Sequence, residues 1–294
     1  MPRVLITGAN SGIGRATAVF LAARGFEVFA AMRDLAKGDK VQALAAEQGA
    51  TIHPVRIDVT DDQTIRDAVR QIETDRGGID ILINNAGVGM NAVVEDVDIE
   101  AAQAVFDANF WGTIRCTQAV LPAMRAQGSG HIINISSVAG RIASLGQGIY
   151  SASKWAVECL SENLAQETLS FGIRVSIIEP GVTRTAILPK NIGHPTPTAY
   201  AQVYGRMMQF YATGIMANIG PEVVAEKIHS VIENSQAPLR NPCAWGGAEL
   251  CEGRARVSDQ EWIELAAHSK DDDYYADFER LFQLSIAPEV DNAK

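Results

Sequence analysis

The feature that most constrains this chain is a regular alternation of short apolar runs with longer stretches of helical periodicity. The first run is Val4-Leu5-Ile6, and a helical pattern from about 12 to 24 follows it directly. The runs are apolar at successive positions, which predicts strands buried on both faces, as in a parallel sheet. Alternation of such strands with helices predicts a doubly wound α/β fold with a parallel sheet of the Rossmann type.

The same alternation continues through the first two thirds of the chain. Strands are predicted near 4–6, 28–30, 52–57, 79–84, 130–136 and 173–179, and helices near 12–24, 36–48, 61–76, 97–127 and 149–171. Right-handed crossovers between parallel strands would place helices on both faces of the sheet. Ligands of such folds bind outside the carboxyl ends of the strands, where the strand order switches.

Because the alternation runs unbroken, residues 1–294 are interpreted as one dinucleotide-binding and catalytic domain. Three prolines interrupt the pattern between 182 and 220, which predicts an irregular insertion that acts as a mobile substrate lid. A helix from 199 to 217 is expected within this insertion, and another near 221–235 follows it.

The end of the chain is predicted to be an extension, from about 239 to 294, that packs on the domain. A short apolar segment from Pro238 to Trp245 precedes an acidic helix start at Asp271-Asp272-Asp273, where carboxylates suit the helix dipole. A docking face is predicted for the helix that follows, formed by Phe278, Leu281, Phe282 and Ser285.

Charge and composition argue against several classes of protein. The formal charge of −10 disfavours a nucleic-acid partner, because a surface that binds phosphates needs clustered Lys and Arg. No apolar stretch approaches a membrane span, and the first apolar run leaves no room for a signal peptide. The four cysteines lack a CxxC spacing and the five histidines lack a His-x-x-x-His pair, which indicates a cytoplasmic protein without a metal site.

A glycine-rich turn, Thr7–Gly14, directly follows the first strand and opens a helix. Glycines permit a tight turn and the close approach of a pyrophosphate, and a helix N-terminus supplies N–H donors and a positive dipole. The turn is not a phosphate loop of the P-loop type, because no Lys follows its last glycine. The residues expected to bind a dinucleotide here are Gly8, Asn10, Ser11, Gly12, Ile13 and Gly14.

The end of the second strand bears on which dinucleotide is bound. A carboxylate at that point would bind the ribose 2′-hydroxyl of NAD, whereas an arginine accommodates the 2′-phosphate of NADP. The strand ends at Met32, and Arg33 and Asp34 follow. Arg33 favours NADP over NAD, while Asp34 either takes the hydroxyl or caps the next helix.

Three further residues suggest a general acid/base site. Tyr150 and Lys154 are four residues apart on one predicted helix, so they share a face, and Ser137 lies thirteen residues before the tyrosine. A cation beside a phenol is expected to lower the pKa of the phenol, and a serine hydroxyl can hydrogen-bond the oxygen whose proton moves.

With these motifs in this order, the chain resembles a short-chain dehydrogenase/reductase over residues 3 to about 185. The resemblance is carried by Thr7–Gly14, Asp58-Val59, Asn84-Asn85-Ala86-Gly87, Asn109, Ser137, Tyr150, Lys154, Pro180-Gly181 and Thr183. Within that family, Met32-Arg33-Asp34-Leu35 is similar to the corresponding segment of 17β-hydroxysteroid dehydrogenase-like members, which prefer NADP.

The resemblance implies a role for each matching residue. Tyr150 exchanges a proton with the substrate oxygen, Lys154 lowers its pKa and binds the nicotinamide ribose, and Ser137 orients the oxygen. Asn109 interrupts a helix so that a backbone carbonyl holds a water leading to the lysine. The expected cofactor contacts are Asp58 and Val59 at the adenine, Asn85, Ala86 and Gly87 at the ribose, and Pro180, Gly181, Val182 and Thr183 at the nicotinamide.

The expected activity is hydride transfer between NADP(H) and a carbonyl or secondary-alcohol substrate. Two alternatives keep the fold, namely an epimerase or dehydratase that uses transient oxidation, and a non-catalytic dinucleotide sensor. An esterase of the α/β-hydrolase type lacks support, because the chain has no Gly-x-Ser-x-Gly elbow. The expected pocket wall, Val88–Val93, Arg141–Leu145 and the insertion, is largely apolar, so a bulky or apolar small molecule is the expected substrate.

Other conspicuous residues are interpreted as structural. Trp111, Trp155 and Cys159 lie on long predicted helices and are expected to be buried in the core or in a homodimer or homotetramer. His131 opens a strand, where a packing role is expected. Glu179 precedes Pro180 and is interpreted as a polar residue at a strand end, not as an acid catalyst.

Overall fold

A computed structural model of the chain describes residues 1–185 and 198–288. Within those residues one parallel sheet contains β1 (Arg3–Thr7), β2 (Glu27–Met32), β3 (Ile52–Arg56), β4 (Ile81–Asn84), β5 (Gly130–Ile135), β6 (Ile173–Pro180) and β7 (Arg240–Cys243). The order of the strands is β3-β2-β1-β4-β5-β6-β7, so the order switches between β1 and β4. This arrangement confirms the predicted doubly wound α/β fold.

The helices of the described residues follow the strands in alternation, as predicted. They are α1 (Gly12–Ala22), α2 (Asp39–Glu47), α3 (Asp62–Arg76), α4 (Ile99–Phe106), α5 (Gly112–Gln127), α6 (Gly148–Thr168), α7 (Ala201–Met216), α8 (Pro221–Glu233), α9 (Gly247–Arg256), α10 (Asp259–Leu265) and α11 (Asp271–Phe282). Short 3₁₀ turns at Leu35–Lys37, Leu169–Phe171 and Thr198–Tyr200 lie next to α2, α6 and α7 and account for part of the difference from their predicted bounds.

The apolar strands divide their side chains between two core layers. Val4 and Ile6 of β1 belong to a cluster covered by α1, α2 and α8, whereas Leu5 belongs to one covered by α3, α5 and α6. This division follows from the two-residue period of a strand, which turns neighbouring side chains to opposite faces. Runs that are apolar at every position therefore bury both faces of the sheet.

The helix predicted from 97 to 127 is helical from 99 onward, but its centre departs from α-helical geometry, as the family resemblance implied for Asn109. Between α4 and α5 the residues Asp107–Trp111 form a π-helical turn. Asn109 sits in this turn, and its side chain is bonded to Val88 and Ser153. A π turn of this kind adds a residue to the helical ladder and re-aims the side chains at that point.

The C-terminal helices pack on the edge of the domain around an aromatic cluster. The segment predicted as a short apolar piece forms β7, which pairs with β6 in parallel. Phe278 and Phe282 of α11 are buried as predicted, but Ser285 is exposed and lies beyond the helix. The predicted face is wrong at that position because Gln283 adopts a left-handed conformation, φ 54°, that ends α11.

Candidate active site

A cleft of about 420 Å³ opens at the carboxyl edge of the sheet, at the switch in strand order. Loops that follow β1 to β6 line it, together with part of α7. Of the residues expected to bind cofactor or act in catalysis, all but Gly14 and Asn109 lie in the cleft lining. The fold therefore brings together motifs that are spread over residues 8 to 183.

The glycine turn packs against the loop that follows β4. Gly8 has a φ of +67°, and a Cβ atom there would lie 2.9 Å from the Cα atom of Ala86. A Cβ atom on Gly14 would lie 2.3 Å from the Nδ2 atom of Asn85, which donates to the carbonyl of Thr7. Gly14 is thus required for packing between two loops and does not face the cleft.

The N-terminus of α1 faces the cleft through residues 10–13. Ser11 occupies the N-cap position, and its side chain caps no backbone N–H group of the helix. The N–H groups of the first turn and the positive end of the helix dipole are therefore available to an anion. This geometry suits the pyrophosphate of a dinucleotide.

At the end of β2 the cleft is lined by Arg33, Asp34 and Lys37. Asp34 caps the following 3₁₀ turn, because its Oδ1 atom accepts from the backbone N–H of Ala36 at 3.1 Å. Its other carboxylate oxygen lies 3.9 Å from the Nζ atom of Lys37. Of the two roles left open for Asp34, the structure therefore favours the cap. Lys37 is a cleft residue that the sequence motifs did not indicate.

Asp58 and Val59 line the cleft at the end of β3, where both act in local structure. The Oδ1 atom of Asp58 accepts from the backbone N–H and the hydroxyl of Thr60, at 3.0 and 2.8 Å. Val59 packs so closely on α5 that a Cβ atom on Gly112 would lie 2.9 Å from its side chain. Asp58 therefore forms the Asx turn that its residue type suggests, and it does so in the cleft wall.

Asn109 lies behind the cleft wall, 1 % exposed. Its Oδ1 atom accepts from the N–H of Val88 at 2.8 Å, and its Nδ2 atom donates to the Val88 carbonyl and to Ser153, at 2.9 and 3.0 Å. Its backbone carbonyl accepts from the hydroxyl of Thr113. The asparagine thus ties the loop after β4 to α6.

Ser137, Tyr150 and Lys154 meet at one wall of the cleft. Tyr150 and Lys154 are one turn apart on α6, as predicted, and the Nζ atom of Lys154 lies 5.8 Å from the centre of the Tyr150 ring. The ammonium donates to the carbonyl of Ile135 at 2.8 Å. Ser137 accepts from the N–H of Ala139 at 3.2 Å, which fixes its hydroxyl at the end of β5.

Burial dominates the titration of these groups. It raises the pKa of Tyr150, while a hydrogen bond with Ser137 acts in the opposite direction. Burial also lowers the pKa of Lys154 to about 8, and the charge of Glu158 opposes this shift. Lys154 is not among the groups that shift the pKa of Tyr150 here, and its ammonium is bonded to a carbonyl of β5. Its predicted effect on the phenol stays a prediction.

The segment after β6 closes the cleft on one side. Gly181 donates to the carbonyl of Cys243 at 2.9 Å, and Val182 donates to that of Trp245 at 3.1 Å. The hydroxyl of Thr183 donates to the carbonyl of Gly181 at 3.2 Å. These bonds anchor residues 180–183 to the chain beyond β7, so the expected nicotinamide contacts stand on a fixed support.

Comparison with known proteins decides the family. The family model described as short chain dehydrogenase matches residues 2–194. The chain belongs to the short-chain dehydrogenase family. Members of this family are nicotinamide-dependent oxidoreductases, so the chain is an enzyme of that class.

Individual relatives of this short-chain dehydrogenase agree with the assignment. It is 35% identical over 273 residues to the oxidoreductase BOA17 of Botryotinia fuckeliana, covering 90% of this chain and 97% of that one. It is 35% identical to the 17-beta-hydroxysteroid dehydrogenase type 1 of Homo sapiens, covering 81% and 76%. A solved short-chain dehydrogenase from Streptomyces avermitilis superposes with a TM-score of 0.78 at 31% identity, covering 92% and 98%.

The part of the dehydrogenase cleft beyond Tyr150 combines apolar and polar side chains. Met90 and Phe210 line it, in keeping with the expected apolar wall. A polar group also faces this space, since the Tyr211 hydroxyl donates to Asn91 at 3.2 Å and accepts from the Nε2 atom of Gln147. Asn91 and Tyr211 therefore add polar groups to a wall that was expected to be largely apolar. Gln147, three residues before the tyrosine, was missed because no motif singles it out.

Helix α7, which forms most of the described part of the predicted lid, is attached to the domain at two points. Tyr204 donates to Asp96 at 3.1 Å. Arg206 is buried, pairs with Asp271 at 2.8 Å, and donates to the carbonyls of Ala266 and His268. A lid built on α7 would therefore move together with the start of α11. Residues 186–197 of the predicted lid lie outside the described residues.

Mobility of this segment remains a prediction that hydrogen exchange can test. Amides in 198–217 are expected to exchange fast in the protein alone and to slow when NADPH and a substrate analogue are bound, because a lid must open for substrate and product. The Arg206 clamp predicts that amides at the start of α11 respond in parallel. If the segment is already as protected as α6 without ligand, it is a fixed wall and not a lid.

Several other predictions concern residues outside the cleft. His131 has a packing role, because its ring contacts Ser176 and Arg174 and burial lowers its pKa to about 3. Trp111 and Trp155 are half exposed, and Cys159 is exposed, so the core does not bury them. Within the described part of the chain, no cluster of three metal-ligating residues occurs, and no helix is long and apolar enough to cross a membrane.

Proposed function

We propose that this short-chain dehydrogenase transfers a hydride between NADP(H) and a bulky or apolar carbonyl or secondary-alcohol substrate. The observation that supports this function best is the meeting of Ser137, Tyr150 and Lys154 in one cleft that also carries the glycine turn. The glycine turn follows β1, whereas Ser137 follows β5 and Tyr150 and Lys154 lie on α6. The shared cleft is what a reaction between a dinucleotide and a second molecule requires.

The chain's residues fit a dinucleotide. Among the described residues, a Cβ atom on Gly12 would meet Thr185 alone within 4 Å, and residues 10–13 line the cleft. We assign the pyrophosphate to residues 10–13, the adenine to Asp58 and Val59, and the nicotinamide half to residues 85–87 and 180–183. When bound, the cofactor supplies or accepts the hydride.

The remaining steps fall to side chains of the cleft wall. Tyr150 would donate its proton to the carbonyl oxygen during reduction, or take it from an alcohol during oxidation. Ser137 would hydrogen-bond the same oxygen and stabilise its developing charge. Lys154 would bind the nicotinamide ribose and favour the phenolate of Tyr150 once it turns from the Ile135 carbonyl. Asn109 would support this wall by holding the loop after β4 against α6.

We assign the preference for NADP to Arg33. Its side chain lines the cleft at the end of β2, where it forms no ion pair with any described residue. The Oδ1 atom of Asp34 is engaged in capping, which leaves only its second carboxylate oxygen for a ribose hydroxyl. Lys37 adds a second positive charge at the same end of the cleft, and two cations suit a 2′-phosphate.

For the substrate, the mixed cleft wall supports an apolar body with a polar group. Met90 and Phe210 offer apolar contact, and the group formed by Asn91, Gln147 and Tyr211 offers hydrogen bonds. The name of the hydroxysteroid dehydrogenase relative agrees with a molecule of this kind.

We also propose that the chain forms a homodimer or homotetramer, because Trp111 and Trp155 are half exposed and suit a subunit interface. A cytoplasmic location is proposed as well, because the four cysteines form no disulfide.

A spectrophotometric screen at 340 nm tests the proposed function. Ketones and secondary alcohols of increasing apolar size would be offered with NADPH, NADH, NADP and NAD. We expect absorbance changes that depend on a carbonyl or alcohol and are faster with the phosphorylated cofactor. Turnover of a sugar or other polyol without net absorbance change would support the alternative of transient oxidation. Cofactor binding without turnover of any compound would support the sensor.

A further inference from the structure

Directly below Lys154 the structure contains a buried acidic group that none of the assigned roles uses. Glu158 lies one turn further along α6, and Glu179 lies at the end of β6; they are 4 % and 1 % exposed. Ser136, at the end of β5, is 3 % exposed and completes the group. One oxygen of each of these three side chains forms no hydrogen bond within the described residues. Such groups are costly to bury, so a role for them is expected.

Two arginines partly compensate the carboxylates. Arg240 donates from Nε to Glu158 at 2.9 Å and from Nη2 to Glu162 at 2.9 Å. Arg141 lies 3.9 Å from Glu179, within ion-pair range but beyond hydrogen-bond range. The negative charges of the two carboxylates are therefore only partly neutralised. Arg240 is shared with the exposed Glu162, and Arg141 forms an ion pair but no hydrogen bond with Glu179.

The two acids of the group differ in how readily they ionise. Burial and the neighbouring charge of Glu158 raise the pKa of Glu179 to about 7, and Arg141 and Arg240 oppose the shift. Burial raises the pKa of Glu158 as well, but the neighbouring Ser136 and Arg240 act against that change. Glu179 therefore resists ionisation, whereas Glu158 is the acid of the pair whose negative charge a hydrogen bond from Arg240 stabilises.

That charge acts on the ammonium of Lys154. Both side chains lie on the buried face of α6, separated by one turn, and both are less than a tenth exposed. Opposite charges interact far more strongly in such a place than in water. Burial alone lowers the pKa of Lys154, and the carboxylate of Glu158 is the charge that raises it again.

We propose that Glu158 is a positioning residue for the reaction, whose buried carboxylate keeps Lys154 in the ammonium form that the cofactor ribose and Tyr150 require. The inference rests on the proposed function, since it assigns a task to Lys154. The charged and titratable groups that face Glu158 are Lys154 and Glu162 on its own helix, Arg141, Glu179 and Arg240 from the sheet side, and Cys251 on α9. Glu158 is the carboxylate of this set that acts on the lysine.

The test compares Glu158→Gln with Glu162→Gln. Both variants remove one carboxylate from the same arginine, but Glu162 is exposed and lies a turn further from Lys154. NADPH affinity would be followed by nicotinamide fluorescence from pH 6 to 10, and the rate of ketone reduction by absorbance over the same range. In Glu158→Gln the alkaline fall of both curves is expected about one pH unit lower, because Lys154 loses its proton earlier. Glu162→Gln should match the wild type.

Several controls separate this inference from others. Glu158→Asp keeps the negative charge, so the alkaline fall of its curves should lie close to that of the wild type. If Glu158→Gln folds poorly, the double variant with Arg240→Gln removes the partner charge as well, and a smaller shift in the same direction is expected, because loss of the arginine partly offsets loss of the carboxylate. Equal curves for Glu158→Gln and the wild type would overturn the inference, as would equal shifts in both single variants. A wild type that binds NADPH but reduces no ketone would overturn the proposed function, whereas the binding curve would still test the inference.

Discussion

Replacing Tyr150 with Phe is expected to lower the rate of ketone reduction by about 10²–10⁴-fold while NADPH affinity changes by a few-fold at most. Proton transfer by a positioned side chain is worth about that much in rate. The ring of Tyr150 remains in the variant, so packing at the start of α6 is kept. Steady-state kinetics and a fluorescence titration with NADPH measure the two quantities separately.

Tyr211→Phe is the matched control for that experiment. It removes a second phenol hydroxyl from the same cleft, one that is bonded to Asn91 and Gln147. Loss of this hydroxyl should affect KM for the substrate more than the turnover number. More than a tenth of wild-type activity in Tyr150→Phe would show that Tyr150 is not the proton donor. Equal losses of activity in Tyr150→Phe and Tyr211→Phe would indicate that both hydroxyls act through the polarity of the cleft, and that Tyr150 is not a specific proton donor.

Replacing Arg33 with Leu is expected to weaken NADPH binding by roughly 10–150-fold and to leave NADH binding nearly unchanged. The reason is that NADPH carries the extra phosphate, and a charge-assisted contact with a guanidinium is worth about that factor. Dissociation constants for both cofactors, measured on the same protein at fixed salt concentration, give the ratio directly.

Arg56→Leu provides the control, because Arg56 ends β3 beside Met32 and lies outside the cleft lining. This variant removes one exposed positive charge from the neighbouring strand end without touching the proposed phosphate site. Its NADPH affinity should equal that of the wild type. If Arg33→Leu weakens NADH as much as NADPH, the 2′-phosphate is not bound by Arg33, and Asp34 becomes the candidate for a ribose contact.

The sheet could be predicted from the sequence because its strands obey local rules. Val4, Leu5 and Ile6 are all apolar, and this pattern has few solutions besides a strand buried on both faces. The break at Asn109 was implied by family resemblance but not by periodicity, since Ile99–Gln127 reads as one helix. Likewise, Ser285 continues the helical spacing of Phe278 and Phe282, but a left-handed residue at Gln283 ends the helix first.

The site was predictable to the extent that its residues form local motifs at strand ends. Gly8–Gly14 and the Tyr150–Lys154 pair each lie within a few residues of one another. The acidic group was not predictable, because Glu158 and Glu179 come from a helix and a strand that meet only in the folded chain. The pKa shifts of Tyr150 and Lys154 depend on the same burial, which no spacing in the sequence reveals.

Transfer of label from [4-²H]NADPH, prepared separately with deuterium on each face of the nicotinamide ring, tests the central claim most directly. The product of ketone reduction would be analysed by mass spectrometry and NMR. The proposed function predicts one deuterium atom on the carbinol carbon of the alcohol from one labelled form, none from the other, and a strong loss of product in Tyr150→Phe. Product without deuterium from either form, or label transfer that persists in Tyr150→Phe at the wild-type rate, would contradict the account.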